Sequence, residues 1–224
     1  SKIGVSIVGM GTGTLRPTIT FATDTLADID IDAANVSLIN FRFIGNIASL
    51  DAPIDVNAAG FEMINCDFYC TTATTDFDIT VITDATANDM IISGCGFHYE
   101  YSLADTAVSN TSVSCIDLVG ADRAVIVNNY ITGNFTTSAI NGITTASYDI
   151  LISGNDITNR QTDKLHIDLV ANCTGRVNYN TGTATSTGAI TASNIYDLAA
   201  CQSAENYISD AVTETGKLIG TVSA

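Results

Sequence analysis

Lys164, His166 and Asp168 stand at alternate positions of DKLHIDL, so a strand through them turns all three to one face. A hydrolase or lyase uses such a set, with paired acids for general acid and base work or a basic residue to abstract a proton. These three are the candidate catalytic residues. A second set, His98, Tyr99, Glu100 and Tyr101 in FHYEYS, joins flat apolar rings to polar edges, the composition of a glycan-binding groove. Asp30 and Asp55 occupy two similar tracts, Ile29-Asp30-Ile31 and Ile54-Asp55-Val56. Neighbouring carboxylates of this kind are candidate ligands for Ca²⁺, a hard cation that takes oxygen. No other cofactor is indicated. Gly9, Gly11 and Gly13 lead into RPTITF, which reads as a strand, whereas a phosphate-cradling glycine loop opens a helix.

The elements that must position these groups repeat along the chain. The triplet Ile126, Asn129, Ile131 in AVIVNNYITG returns as Leu38, Phe41, Phe43, as Met63, Cys66, Phe68, as Ile92, Cys95, Phe97 and as Ile152, Asn155, Ile157. Weaker copies are Val177, Asn180, Gly182 and Ser203, Asn206, Ile208, and the first is read as Ile7, Met10, Thr12. Successive middle residues lie 25 to 34 positions apart, the interval of a solenoid repeat. A unit this short cannot bury its own apolar face and must stack on its neighbours.

A second tract precedes most triplets. Besides the two Asp tracts above it reads Ile79-Thr80-Val81, Ile116-Asp117-Leu118, Ile140-Asn141-Gly142, Ile167-Asp168-Leu169 and Ile190-Thr191-Ala192. Period-two alternation points the aliphatic residues inward and the middle residue to solvent. The third member of each triplet begins one more strand. The prediction is therefore an all-β fold, a parallel β-helix of about eight coils with three short strands per coil, running through residues 1–224 as a single domain. The outward Asp column is read as a solvated face that discourages edge pairing.

Inside such a stack a buried amide can bond to the same amide one coil away, so Asn129, Asn155, Asn180 and Asn206 are expected to form a ladder. Cys66 and Cys95 continue the same column as small, weakly polar fillers. The six cysteines show no C-x-x-C spacing and are expected to be free buried thiols, with no zinc site.

With a net charge of -16 and only eight scattered Lys and Arg, the chain lacks the clustered cations that phosphate binding needs, which excludes a nucleic-acid partner. No apolar run reaches membrane-spanning length, so no membrane insertion is expected. The opening SKIGVSIVG lacks the layout of a cleavable signal. Because it enters a strand at once, the first coil is expected to be covered by a missing segment, another domain or another subunit, while GKLIGTV at 216–222 closes the last coil.

The stretches GVSIVGMGTGTLRPTITF, VGADRAVIVNNYITGNF, ISGNDITN and ENYISDAVTETGKLIG, in that order, resemble the right-handed parallel β-helix proteins of tailed phages. These are similar in fold to the pectate-lyase-like superfamily, without the Arg, Lys and clustered Ca²⁺-binding Asp pattern of the lyases. The resemblance implies a virion component: a capsid decoration, tail-spike or fibre-like display module, homo-oligomeric and often trimeric. It would meet other virion proteins and a host surface glycan. A polysaccharide depolymerase on the same scaffold is the alternative.

Overall fold

The computed structural model describes residues 4–72, 75–99, 111–184, 196–210 and 216–219, of which 208–210 and 216–219 are described in their backbone only. Each coil contributes one strand to each of three sheets, A, B and C, in that order along the chain. The first coil supplies β1 (Ser6–Val8), β2 (Thr18–Phe21) and β3 (Ile29–Ile31). Stacking of the coils gives sheets of eight, nine and seven strands. Among the described residues this makes seven complete coils and a partial eighth. All neighbouring strands are parallel except the last pair, in which Gly216–Ile219 runs antiparallel to Asn206–Asp210.

Register follows the repeat. In sheet A, Ile7, Leu38, Met63, Ile92, Ile126, Ile152, Val177 and Ser203 are successive partners. In sheet B, Phe43, Phe68, Phe97, Ile131, Ile157, Gly182 and Ile208 do the same. A single left-handed residue turns the chain from sheet A toward sheet B in every coil from the second on. It is Asn40, Asn65, Gly94, Asn128, Gly154, Tyr179 or Glu205, each with φ between 53° and 67°. Glycine and asparagine tolerate this region best, and they fill five of the seven positions. The residue that follows each of them is the middle member of the triplet, and the bend aims it into the stack.

Three expectations fail locally. The first triplet ends on Ile19, the partner of Phe43, and not on Thr12. A 3-10 turn at Gly13–Leu15 lengthens the first corner, and Met10 is 82% exposed instead of buried. In sheet C, Val81 pairs with both Ile54 and Ile116, so Ile82 and not Thr80 joins the outward column. Thr80 is buried, its hydroxyl against that of Tyr99. Residues 190–192 lie outside the described residues, and Tyr196 and Asp197 pair with Ile167 and Asp168.

The ladder forms as the sequence predicts. The side-chain Nδ2 groups of Asn129, Asn155 and Asn180 donate to Oδ1 of Asn155, Asn180 and Asn206 at 3.0, 2.9 and 3.0 Å. Backbone N–H groups of the same three residues donate to the same oxygens at 3.0 to 3.1 Å. The other Nδ2 hydrogen of each Asn reaches back to a sheet A carbonyl of the preceding coil, at Ile92, Ile126, Ile152 and Val177, over 2.9 to 3.1 Å. All four amides are buried.

Cys66 and Cys95 occupy the matching place. Their thiols point to the carbonyls of Leu38 and Met63 at 3.5 Å, and the backbone N–H of Cys95 donates to Oδ1 of Asn129 at 2.9 Å. Cys66, Cys70, Cys95, Cys115, Cys173 and Cys201 are all free and buried.

Candidate functional site

Sheet B turns its alternate side chains outward, and coil stacking lines them up in two columns. One runs Arg42, Asp67, Gly96, Tyr130, Asp156, and the other Ile44, Tyr69, His98, Thr132. Parallel register sets neighbours about 4.8 Å apart, which suits ring stacking. Tyr69 and His98 stack with centroids 4.6 Å apart and planes 9° from parallel, and Tyr130 follows His98 at 5.4 Å with a 40° tilt. At the other end the Arg42 guanidinium lies 4.6 Å from the centre of the Tyr69 ring, a cation–π contact. Four side chains from four successive coils thus form one ribbon, Arg42, Tyr69, His98, Tyr130.

Gly96 makes room for it. A Cβ there would lie 2.6 Å from His98 Nε2 and 2.8 Å from Asp67 Oδ1, so the imidazole and the carboxylate lean over the glycine. Arg16, from the corner of the first coil, pairs with Asp67 at 2.5 Å and donates to the backbone oxygen of Asn65 at 3.2 Å. The ribbon therefore gathers two of the chain's eight Lys and Arg residues beside rings and a carboxylate on a rigid sheet. Ring edges, a guanidinium and a carboxylate together can bond sugar hydroxyls while the exposed Tyr130 ring packs on an apolar sugar face.

Of the predicted glycan-binding residues, His98 lies in the ribbon. Tyr99 does not: alternation sends it inward, where it is buried and meets Phe77 and Phe135 edge-on at 5.7 and 5.0 Å. Burial holds its hydroxyl well above the usual phenol range. Glu100 and Tyr101 lie outside the described residues. Sequence reasoning missed Arg42, Tyr69 and Tyr130. The signal was present, because Tyr69 and His98 each follow the third member of a triplet while Arg42 and Tyr130 each precede it.

The candidate catalytic trio occupies three different environments. Lys164 is exposed and Asp168 half-buried, but His166 is fully buried, its Nε2 3.0 Å from the Thr183 carbonyl oxygen and its ring edge-on to Tyr196. Desolvation lowers the imidazole pKa to about 4, so at neutral pH His166 is an uncharged interior group. Asp168 is raised by burial and by the neighbouring Asp197 carboxylate. One coil away Asn141 Nδ2 donates to Asp117 Oδ1 at 3.0 Å; both are buried, and burial raises Asp117.

Asp30 and Asp55 are register partners in sheet C, and Asp28 joins them with carboxylate oxygens all within 4.8 Å. Asn57 Nδ2 donates to Asp30 Oδ1 at 3.2 Å. Partial burial raises the Asp55 carboxyl, and the adjacent Asp30 and Asp28 charges push it further. Ca²⁺ takes six to eight oxygens, and three clustered carboxylates on an acidic surface supply only part of such a shell.

Comparison with protein-family models, with curated proteins and with solved structures returns no match to this chain.

Proposed function

We propose that the chain is a non-enzymatic display and adhesion module of a phage particle, which presents the Arg42–Tyr69–His98–Tyr130 ribbon to a host surface glycan. The observation that carries this reading is the ribbon itself: rings, a cation and a carboxylate held on the outer face of a sheet whose underside is packed by stacked Phe43, Phe68 and Phe97. The resemblance to tailed-phage β-helix proteins supports the virion setting, with other virion proteins as neighbours and a homo-oligomer, such as a trimer, as the displayed form. Multivalent display would raise the avidity of individually weak sites.

Screening the purified protein against bacterial surface polysaccharides tests the binding. Tyr130→Ala and Arg42→Ala are each expected to weaken capture roughly 3- to 10-fold, with folding stability lowered by no more than about 1 kcal/mol, as loss of one exposed ring or one cation–π contact implies. Capture unaffected by both substitutions, or absence of the protein from purified particles, contradicts the proposal.

A second reading, a polysaccharide depolymerase, draws on the outward carboxylate column of sheet C, where Asp168 and Asp197 are register partners and Asp117 lies two coils from Asp168. A carboxyl raised by burial beside a second carboxylate, as Asp168 is beside Asp197, suits an acid and base pair. New reducing ends or unsaturated products from incubated polysaccharide, abolished by Asp168→Asn, would favour it over the adhesion reading.

A further inference from the structure

Sheet A differs from the other two on its outside. Sheet B carries the ribbon there, and sheet C a column that includes Asp30, Asp55, Asp117, Asp168 and Asp197. In sheet A, Met63, Ile92, Ile126, Ile152 and Val177 are buried in the stack, so their strand neighbours turn outward. One outward column runs Glu62, Ile91, Val125, Leu151, Arg176 through successive coils, and the other Ile64, Ser93, Val127, Ser153, Asn178. Arg176 is exposed and the other nine are half-buried. On a chain of net charge -16, a central face of aliphatic residues with one acid and one base is the kind of patch that marks a contact surface.

Both columns have nearly the same chemistry read from either end. With Val125 and Val127 as the centre, Glu62 answers Arg176, Ile91 answers Leu151 and Ser93 answers Ser153. One coil further out Ser37 answers Gln202 and Ile39 answers Ala204. Ile64 against Asn178 is the one mismatch. A twofold contact between identical faces requires this symmetry, and a partner of any other kind does not.

We infer that the outer face of sheet A is the interface of a homodimer, in which two copies pack face to face with their solenoid axes antiparallel. A twofold axis along the strand Val125–Val127, midway between the two sheets, reverses the order of the coils and keeps each column against itself. Glu62 then faces Arg176 of the partner subunit, an ion pair made twice, while Val125 and Val127 meet their own counterparts at the centre. Both charges are available. Neither ion pair among the described residues uses Arg176, and Glu62 accepts only the Ser37 hydroxyl at 3.0 Å, which leaves its carboxylate room for a cation. Packing with parallel axes, as around a threefold axis, sets each coil against the same coil and brings Glu62 toward Glu62 and Arg176 toward Arg176. That repulsion separates the pair from the trimer that the resemblance implies. Sheet B takes no part in the contact, so the inference does not depend on the glycan-binding reading.

Sedimentation equilibrium of the whole chain tests it. The native chain is expected to form a concentration-dependent dimer. Glu62→Arg should weaken it at least tenfold by opposing like charges, and Glu62→Arg combined with Arg176→Glu should restore it to within about threefold. Val125→Lys, which sets two ammonium groups together at the centre, should give a monomer. Because these side chains point outward, thermal unfolding should change little, and recovery in the double variant separates a lost contact from a misfolded chain. A native chain that is monomeric at every concentration, a trimer, a dimer indifferent to Glu62→Arg, or a double variant that fails to recover overturns the inference. Glycan capture by a chain that stays monomeric would do so too and leave the adhesion reading standing.

Discussion

The interior of the early coils and that of the late coils solve one problem with different chemistry. In the second to fourth coils the space under sheet B is filled by Phe43, Phe68 and Phe97, stacked at 4.7 and 5.1 Å, and the sheet A carbonyls of Leu38 and Met63 face thiols. From the fifth coil on, the same columns carry Ile131 and Ile157, and the carbonyls of Ile92, Ile126, Ile152 and Val177 receive amide hydrogens. Ring stacking ends at Phe97 and the amide ladder begins at Asn129, one coil later. From the third coil on the A-to-B corner carries a small donor, first a thiol and then an amide, whereas in the second coil Phe41 holds the place. A weak donor goes with apolar filling and dispersion; a strong donor goes with a thinner core whose stability comes from hydrogen bonds.

Removing one rung from the late half should have the largest effect. Asn155→Ala removes the partner of the Ile126 carbonyl, of the Asn129 N–H and of one Nδ2 hydrogen of Asn129, and at about 1–3 kcal/mol per buried group the loss is about 3–9 kcal/mol. Denaturant unfolding measures it. In the early half Phe68→Ala removes the middle of the ring stack and should cost about 3–5 kcal/mol by cavity formation. The same unfolding experiment measures it, and a loss below about 1 kcal/mol would mean that the rings do not hold the early coils.

Acid should discriminate the halves next. His166 is interior to the late coils, and its folded pKa of about 4 lies below the ordinary 6.5. The unfolded chain therefore binds the proton first. Stability from this group is complete above pH 6.5 and is lost as pH falls toward 4, by on the order of 3 kcal/mol. Asp117 and Asp168, raised by burial, act in the opposite sense and gain stability as pH falls through their folded pKa. Urea midpoints between pH 7 and 4.5 should fall for the native sequence and fall much less for His166→Leu.

The smallest effect is expected where the thiol corners give way to the amide ladder. Cys95→Asn should carry the ladder one coil further, with Nδ2 toward the Met63 carbonyl and Oδ1 toward the Cys66 N–H, and should stabilise by about 1 kcal/mol. Destabilisation would mean that the early coils are shaped for the thiol.

The inward columns were legible because most coils spell them alike: an aliphatic residue, a left-handed residue that is Asn or Gly in five of seven coils, a small donor from the third coil on and an apolar residue two further on. Legibility failed where the path between strands changes length. The glycine-rich excursion after Gly9 displaced the first triplet from Ile19 to Thr12, and period-two alternation let Thr80 stand in for Ile82 after a two-residue slip. The site was half readable for the same reason. His98 announced itself, but unequal gaps between coils hid that Tyr69 and Tyr130 flank it. Local alternation in LHID suggested an exposed histidine, whereas the fold closes over His166 and leaves Asp168 half-buried. Burial of this kind is set by neighbouring coils and leaves no trace in the strand's own pattern.

Side-chain amide exchange, followed by NMR on uniformly ¹⁵N-labelled protein, tests the central claim most directly. Every Nδ2 of Asn129, Asn155, Asn180 and Asn206 is bonded and buried, so these four NH₂ groups should persist long after that of the half-buried Asn57 has exchanged. Exchange of all five at one fast rate would mean that the amides face water and that no ladder joins the coils.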